Sequence, residues 1–300
     1  MSVILETTLP IPLAYRGKVR DTYDLGDKLL LIATDRISAF DSVLPCGIPD
    51  KGLVLNQLSA FWFDKTKHII PNHLITLINT AESLKQYFPN GATLPDYLIG
   101  RSMIVHKAER VPVEAVVRGY ISGSAWAEYR ESGTISGIPQ PKDLAESQDL
   151  PQPLFTPTSK ADSGHDMPLS KEELENLVGK ATARELEEKS LSIYQYACSY
   201  AQSRGIIIAD TKFEFGFING ELALIDEILT PDSSRFWDAT KYTAGQSQPS
   251  YDKQPVRDWL VDSGWNKEPP APMLPQKIIA ETSERYKAAY KKLVGNELKK

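Results

Sequence analysis

The chain has 300 residues, 41% of them hydrophobic and 24% charged, and its formal net charge at pH 7 is −5. This balance is typical of a globular protein with one large domain or two modest ones. The negative charge argues against binding to bulk nucleic acid or an anionic membrane, and no apolar run approaches the length of a membrane span. Cys46 and Cys198 lack metal-ligand spacing, and residues 1–8 lack the features of a signal peptide. We therefore expect a reduced, cytoplasmic protein.

The first third of the chain has the alternation and the turn residues of β structure. Residues 15–24 alternate, and a turn at 25–28 leads into an apolar run at 29–33 that predicts a buried strand. A further strand is expected at 102–106. The segment that follows it, residues 107–112, is predicted to be a hinge between two lobes.

Four helices are expected from capping residues and helical spacing. Asp50 is placed to cap the first, whose apolar residues are Leu55, Leu58, Phe61 and Trp62. A capping box at 170–173 opens the second, which ends near Gly179. The third ends at Gly205 and carries Leu186, Ile193, Tyr194, Ala197 and Ala201. The last presents one apolar face, formed by Ile279, Thr282, Tyr286, Ala289 and Leu293.

Two proline-rich stretches, residues 133–168 and 249–275, are predicted to be loops. A structureless stretch of such length is usually functional or a linker, and His165 lies in the first one. His68 and His73 lack the spacing of zinc ligands, and we expect them at the surface or at a helix edge.

An acidic strand in the second half of the chain carries the clearest chemical signal. The apolar run 206–209 leads into Asp210, Lys212 and Glu214, which alternate onto one face. A second acidic strand, residues 222–228, follows at once. Carboxylates that flank a lysine at the end of a buried strand suit a metal ion and a substrate phosphate. The pair of strands is typical of a magnesium-nucleotide site.

A basic segment near the N-terminus is a candidate for binding phosphate. The sequence has neither a P-loop nor a Rossmann fingerprint, but Arg16 to Arg20 lie inside a predicted hairpin. Gly17 would let the backbone approach a phosphate, and Lys18 and Arg20 would project from one face of the strand. Kinase-type folds cover ATP with a glycine-containing hairpin of this kind. An exposed basic turn is the alternative.

Three further segments could bind anions. Residues 35–41 and 118–126 each follow a strand, where functional loops are common. The second of these offers one guanidinium, two hydroxyls and two glycines, which suit a phosphate pocket. Each of the two could instead be a structural turn with an exposed arginine. Arg235, with Asp232 nearby, is the third candidate.

Taken together, six segments closely resemble the SAICAR synthetase family of purine biosynthesis. In the family's order they are GKVRD (17–21), DRISAFD (35–41), VRGYISGSAW (117–126), FTPTSKA (155–161), DTKFEFG (210–216) and DEILTPDSSRFW (226–237). The long loops and the C-terminal extension resemble the fungal, monomeric form rather than the shorter bacterial one.

The resemblance implies a fold, a reaction and a set of partners. The fold is α+β in two lobes, a β-rich lobe at 1–110 that covers ATP and a larger mixed lobe at 111–300, with the active site in the cleft between them. The reaction joins L-aspartate to 5-aminoimidazole-4-carboxylate ribonucleotide (CAIR), with ATP and Mg²⁺. The products are the succinocarboxamide SAICAR, ADP and phosphate.

Roles follow by matching positions to the family. The residues expected to hold ATP are Gly17, Lys18, Arg20, Lys107 and Glu114, the last two through the segment that lines the adenine and ribose. The ribonucleotide would be bound by Ser38, Arg118, Ser124 and Arg235. Glu214 and Asp226 match the metal-binding carboxylates, and Lys212 would balance charge near the transferring phosphoryl group. Candidates for orienting the aspartate amine are Asp166, Asp210 and Asp232.

The metal assignment makes a claim about the register of the acidic hairpin. A two-residue turn at 219–220 would set Lys212 opposite Glu227. A three-residue loop that ends in a glycine bulge would set Lys212 opposite Asp226 and bring Asp226 onto the face of Glu214. We predict the bulged loop. Coordinates that place Glu227 on the face of Glu214 would contradict this and move the metal role to Glu227.

Two other readings compete with the ligase. A small-molecule kinase of related architecture would use the same ATP-binding half but release a phosphorylated product. A catalytically silent nucleotide-binding or scaffold protein would not need the phosphate lysine or the metal carboxylates, and this chain has all of them.

Overall fold

The computed structural model describes residues 3–88, 94–160 and 167–299. Its strands, in chain order, are β1 (Leu13–Arg16), β2 (Arg20–Asp24), β3 (Lys28–Ala33), β4 (Arg36–Ala39), β5 (Ser42–Gly47), β6 (Leu74–Leu77), β7 (Ser102–His106), β8 (Glu109–Tyr120), β9 (Thr134–Ile135), β10 (Ile138–Pro139), β11 (Asp149–Phe155), β12 (Thr158–Ser159), β13 (Ile206–Ile218), β14 (Glu221–Ile225) and β15 (Ser234–Asp238). The α-helices are α1 (Lys51–Thr66), α2 (Ala81–Lys85), α3 (Ser124–Ser132), α4 (Lys171–Val178), α5 (Lys180–Gln202), α6 (Gln254–Asp262) and α7 (Gln276–Val294).

Two antiparallel sheets hold most of the strands. The first has the order β1-β2-β3-β7-β6, which confirms the prediction of a β-rich first third. The second has the order β11-β8-β13-β14, with β12 paired to β8 and β15 paired to β13. The long strands β8 and β13 form the centre of the second sheet, so their side chains have neighbours on both sides. The α+β class predicted from the sequence is confirmed.

The predicted helices form, although one of them begins differently from the prediction. Ser170 caps α4 in a capping box with Glu173, and α7 buries the predicted apolar face. The first helix does not use a side-chain cap, because Asp50 has left-handed backbone angles, with φ of 64°. None of the helices in the described ranges has the length and apolar run needed to cross a bilayer.

The two stretches predicted as loops contain regular structure. Strand β11 lies in the first stretch and pairs with β8 at the edge of the sheet, where proline is tolerated because one side of the strand has no ladder to complete. Helix α6 lies in the second stretch and carries a proline in its first turn, where the missing N–H costs nothing. The predicted hinge at 107–112 is also mostly regular, since β8 begins at Glu109.

The predicted register of the acidic hairpin is wrong. Ile218 pairs with Glu221, so the connection between β13 and β14 is a two-residue turn at 219–220 rather than a bulged loop. Asn219 and Gly220 both have positive φ, at 53° and 83°, as the tight turn that suits twisted strands requires. The usual preference of an Asn-Gly pair therefore decides the register.

Two apolar clusters connect the beginning of the chain to its end. The largest combines Leu31 of β3 and Trp62 of α1 with Phe213 of β13 and Tyr286 of α7. A smaller one packs strands β4 and β5 against α6 and α7. Helices α1 and α7 thus share one apolar core with strands of both sheets.

Candidate active site

A glycine-containing turn joins β1 to β2 and is held from one side by an arginine. The guanidinium of Arg36 donates to the carbonyl oxygens of Gly17, at 2.9 Å, and of Lys18, at 3.2 Å. It also donates to the buried carboxylate of Asp21 at 2.7 Å. The amide of Gly17 donates to the carbonyl of Arg20 at 2.8 Å, which closes the turn. Arg36 thus fixes the carbonyl groups of the predicted phosphate-binding segment.

Lys18 and Arg20 do not share a face as the alternation of a strand would require. Lys18 lies in the turn, outside the strands, and its Nζ contacts Asp41 at 2.6 Å with both side chains more than half exposed. Arg20 opens β2 and reaches across to Asp226 and Glu227, the second at 3.4 Å. Burial acts to lower the pKa of Arg20, but the two carboxylates outweigh it and raise that pKa above its ordinary value.

Two carboxylates face each other at the centre of the second sheet. Glu114 of β8 and Glu214 of β13 are directly opposite in the register, an arrangement that would be unfavourable for two unpaired negative charges. Lys212 contacts Glu114, and Lys160 contacts Glu214 and lies 3.9 Å from Glu114. Burial opposes the charge of Lys212, but Glu114 outweighs it and raises the pKa of the lysine. The four side chains form a compact array of alternating charge.

Asp226 lies near enough to Glu214 to affect its charge, although the register between β13 and β14 differs from the predicted one. Strand β14 ends at Ile225, and Asp226 turns out of it with φ of 68°. Burial, and then the charge of Asp226, raise the pKa of Glu214. Burial also opposes the charge on Asp226, but Arg20 outweighs it and lowers that pKa. Asp226 is the carboxylate whose charge acts most on Glu214, so Asp226 remains the candidate metal ligand beside Glu214.

These two carboxylates are the candidate metal ligands. Among the described residues there is no group of three or more His, Cys, Asp or Glu side chains that could form a cage around an ion. Mg²⁺ needs no such cage, because it is commonly held by one or two carboxylates together with substrate phosphates and waters. The hard oxygen donors of Glu214 and Asp226 fit that type of ion.

The two predicted phosphate arginines converge on one carboxylate. Arg118 donates to Asp210 at 3.2 Å and to the hydroxyl of Thr156 at 3.1 Å, and Arg235 contacts the same carboxylate oxygen of Asp210. Burial lowers the pKa of Arg118, whereas the charge of Asp210 raises that of Arg235. Gly123, with φ of 57°, lies so close to Arg235 that a Cβ would overlap the guanidinium. Asp210 thus holds the two guanidiniums side by side, and together they are the candidate anion site.

Ser124 and Ser38 lie in short elements. Ser124 opens α3, directly after Gly123, and Ser38 sits in β4 opposite Val43. Lys107 is exposed and pairs with both carboxylate oxygens of Asp24, at 2.8 and 2.9 Å. Asp166 and the predicted loop histidine lie outside the described residues.

Both carboxylate oxygens of Asp232 already accept hydrogen bonds, which argues against the predicted role of this residue in orienting a substrate amine. One of its oxygens accepts from Nζ of Lys51 at 2.8 Å, and the other accepts from the hydroxyl of Tyr286 at 2.6 Å. Lys51 is fully buried in the first turn of α1, where the helix dipole disfavours a cation. A lysine in the first turn of a predicted helix is unusual, and this could have indicated from the sequence that Lys51 pairs with a carboxylate. The sequence analysis gave Lys51 no role.

Sequence reasoning also missed two other residues near the candidate metal carboxylates. His73, expected at the surface or at a helix edge, is buried next to Asp226, and burial lowers its pKa to about 4. Lys160 belongs to a segment that resembled the family but had no role assigned to it. Its position at the end of the edge strand β12, next to β8, could not be read from periodicity.

Comparisons with known proteins identify the family to which the chain belongs. The family model described as SAICAR synthetase matches residues 13–272. The chain belongs to the SAICAR synthetase family. A phosphoribosylaminoimidazole-succinocarboxamide synthase from Thermodesulfovibrio yellowstonii is 53% identical over 295 residues, which are 98% of this chain and 99% of the relative. One from Desulfosudis oleivorans is 50% identical over 295 residues, with the same coverage.

A solved structure of the SAICAR synthetase family extends the likeness to three dimensions. SAICAR synthase from Saccharomyces cerevisiae, complexed with SAICAR, superposes with a TM-score of 0.89 at 43% identity, covering 98% of this chain and 99% of that chain. The resemblance to the fungal form is therefore confirmed at the level of fold. The two bacterial relatives match over almost their whole length, so this longer form of SAICAR synthetase also occurs in bacteria.

Proposed function

We propose that this protein is the ATP-dependent ligase that joins L-aspartate to the 4-carboxylate of CAIR and releases SAICAR, ADP and phosphate. Family membership across nearly the whole chain supports the reaction. The observation that carries the proposal is the placement of an acidic pair, Glu214 and Asp226, between a glycine turn on one side and two guanidiniums on the other. Such a site has two separate regions that can bind phosphate, the glycine turn for the nucleotide and the two guanidiniums for the phosphate of a second substrate.

The chemistry requires activation of a carboxylate. The γ-phosphoryl group of ATP passes to an oxygen of the CAIR carboxylate, which breaks the bond to ADP and gives an acyl phosphate. The amine of L-aspartate then attacks the carbonyl carbon, loses a proton and displaces phosphate. All three substrates are anions, so positioning and charge neutralisation are the main tasks of the protein.

The side chains divide these tasks. Lys18, exposed in the turn, binds the ATP phosphates, and Arg36 holds the backbone that approaches them. Arg118 and Arg235 bind the phosphate of the ribonucleotide. Lys212, which contacts Glu114, stands next to the transferring group and neutralises its developing charge.

Glu214 and Asp226 would hold Mg²⁺. When bound, the ion supplies neutralisation of the phosphate oxygens during transfer. The protein side chains keep the two carboxylates in place beforehand, since Lys160 contacts Glu214 and Arg20 contacts Asp226. We further propose that the enzyme works in the cytosol as a monomer, as the resemblance to the fungal form implies, and that residues 1–110 and 111–300 form its two lobes.

The first experiment measures ADP release from ATP, Mg²⁺ and CAIR, with and without L-aspartate. Stoichiometric ADP and SAICAR that require every component are the expected result. Equal ADP release without L-aspartate would favour a kinase or an uncoupled ATPase. A protein that binds ATP but turns over nothing under any of these conditions would be the silent nucleotide-binding protein.

A further inference from the structure

An N-terminal arm, residues 3–9, packs against the first part of the fold ahead of β1. Near its C-terminal end, Leu9 is buried in the apolar cluster that also contains Tyr23 of β2. At its other end, a Cβ added to Gly47 of β5 would overlap the side chain of Val3. The arm is therefore held at both ends, although it belongs to no strand or helix.

The middle of the arm supplies the donors for one oxygen of a buried carboxylate. Asp21 of β2 is 0% exposed. The amide and the hydroxyl of Thr7 both donate to its Oδ2, at 3.0 and 2.7 Å, and no other described residue donates to that oxygen. The hydroxyl of Tyr23 donates to the carbonyl of Thr7 at 2.8 Å and so fixes the arm at this point. A buried carboxylate that loses a donor is strongly destabilised, so Asp21 depends on Thr7.

Arg36 connects this carboxylate to the glycine turn. It donates to Oδ1 of Asp21 and to the carbonyl oxygens of Gly17 and Lys18. Its Nη1 also donates to the carbonyl of Leu5, in the arm, at 2.5 Å. The arm thus reaches the guanidinium in two ways, directly through Leu5 and indirectly through Asp21.

A second buried carboxylate is bound by the start of the arm. The amide of Ile4 donates to Oδ2 of Asp35 at 2.8 Å, and the amide of Asp35 donates to the carbonyl of Ile4 at 2.7 Å. The Oδ1 of Asp35 accepts from the amide of Gly52, in the first turn of α1, at 2.9 Å. Since Asp35 directly precedes Arg36, these bonds also fix the backbone from which the guanidinium extends.

We propose that the N-terminal arm positions the glycine turn for binding ATP, and that Thr7 is its main positioning residue. The inference rests on the proposed function, which makes ATP the ligand of the turn. Thr7 is buried and acts through Asp21 and Arg36.

The effect on affinity follows from how Arg36 is held. A guanidinium that donates to three carbonyls and one carboxylate at once has one orientation that satisfies them all. Without the hydroxyl of Thr7, the carboxylate of Asp21 is free to rotate, and Arg36 no longer holds the turn in a single shape. Affinity then falls in proportion to the fraction of molecules whose turn keeps the binding shape.

The test measures binding of a non-hydrolysable ATP analogue with Mg²⁺ to the full-length protein by calorimetry. Thr7→Val removes the hydroxyl but keeps the shape and the amide. We expect its dissociation constant to rise about fivefold, the size of one ordinary hydrogen bond. Thr7→Ser, which keeps the hydroxyl, should bind like the wild type. Thr8→Val, the same change at the exposed neighbouring position, is the matched control and should also leave binding unchanged.

Kinetics and hydrogen exchange separate positioning from a purely structural role. KM for ATP should rise in Thr7→Val by the same factor as the dissociation constant, while KM for CAIR and for L-aspartate stays unchanged. The amide of Gly17, which closes the turn, should exchange faster in Thr7→Val and at the wild-type rate in Thr8→Val. Tyr23→Phe, which removes the donor to the carbonyl of Thr7, should change binding in the same direction, and it decides if Thr7→Val fails to fold.

The outcomes distinguish the role of the arm from the function on which it rests. Lower thermal stability of Thr7→Val and Tyr23→Phe with unchanged binding of the analogue would make the arm purely structural and overturn the inference. Equal increases in KM for all three substrates would overturn it too. A wild-type protein that binds the analogue but makes no SAICAR overturns the proposed ligase and leaves the binding test of the arm in force. A wild-type protein that does not bind the analogue overturns both.

Discussion

The glycine turn and the centre of the second sheet both present cations, but they hold them in opposite ways. Lys18 pairs with Asp41, and the two side chains are 53% and 60% exposed. In the second sheet the carboxylates that pair with lysine or arginine, those of Glu114, Glu214 and Asp210, are each at most 10% exposed. An exposed pair exchanges its partner at little cost, whereas a buried one keeps its geometry. The exposed Lys18 of the turn is therefore suited to exchange Asp41 for a ligand, whereas the buried carboxylates of the second sheet are suited to keep a bound ligand in a fixed position.

The largest expected effect lies at a deeply buried pair, between Lys51 and Asp232. Lys51→Met leaves Asp232 without its main hydrogen-bonded cation, and removing one partner of a buried pair lowers the free energy of unfolding by about 4 kcal/mol. Denaturant titration measures the loss. Lys67→Met, at the exposed end of α1 and paired with Asp64, should change it by about 0.5 kcal/mol or less. Similar losses in the two variants would contradict the contrast between buried and exposed pairs.

The same pair also predicts a pH dependence. Burial acts to raise the pKa of Asp232, but Lys253 and Lys51 outweigh it and lower that pKa well below its ordinary value of 3.8. A carboxylate with a depressed folded-state pKa stabilises the protein above its unfolded-state pKa, and this stabilisation is lost as the pH falls through the folded value. The difference in unfolding free energy between wild type and Lys51→Met should therefore shrink as the pH is lowered below about 4. A difference that stays constant down to low pH would argue against the pair.

The next largest effect is expected at Asp210. Asp210→Asn removes the carboxylate between Arg118 and Arg235, and we expect the free energy of unfolding to fall by about 3 kcal/mol. Because two guanidiniums are then left facing each other, added sulfate should restore part of the lost stability. Asp258→Asn, at an exposed position of α6, should neither lose stability nor respond to sulfate in this way. An Asp210→Asn protein that is indifferent to sulfate would show that the two arginines are not an anion site.

A smaller effect on stability, together with a selective effect on ATP, is expected at Arg36. Arg36→Lys keeps the charge but cannot donate to Gly17, Lys18 and Asp21 at once, which costs about 1–2 kcal/mol of stability. Since the turn loses its shape, KM for ATP should rise several-fold while KM for CAIR stays unchanged. Arg184→Lys, at an exposed position of α5, is the control. Equal changes in the two KM values would mean that Arg36 does not act through the turn.

The smallest effect on stability is expected at Lys18. Lys18→Met removes an exposed pair and should change the free energy of unfolding by about 0.5 kcal/mol or less. KM for ATP should nevertheless rise by about tenfold, because a phosphate contact is lost. Steady-state kinetics and denaturant titration of the same preparation measure both. If Lys18→Met lowered the free energy of unfolding without changing KM for ATP, Lys18 would be a structural residue rather than an ATP-binding one.

Much of the fold was predictable, because local patterns determine it. The buried strand β3, the capping box of α4 and the apolar face of α7 each follow from residues close together in the sequence. The strand β11 and the helix α6 were missed because each contains proline and lies in a proline-rich stretch. Only their positions, at a sheet edge and at a helix start, make proline acceptable.

The candidate site was predictable in its residue types but not in its geometry. Alternation placed Asp210, Lys212 and Glu214 on one strand, and resemblance to the family supplied Asp226. The approach of Asp226 to Glu214 depends on a positive φ at the end of β14, which no local pattern showed for an aspartate. The partners of these groups come from distant segments, as Lys160 and Arg20 do, and pairings over such separations depend on the sheet order.

The apolar cluster that joins β3 and α1 to β13 and α7 has a consequence for how the protein melts. Leu31 and Trp62 belong to the first part of the chain, while Phe213 and Tyr286 belong to the second, and all four share one core. The two predicted lobes therefore cannot lose their structure independently, and heating should give a single cooperative transition in calorimetry. Occupation of the nucleotide side alone should shift that whole transition upward, so that either substrate protects the entire chain against denaturation.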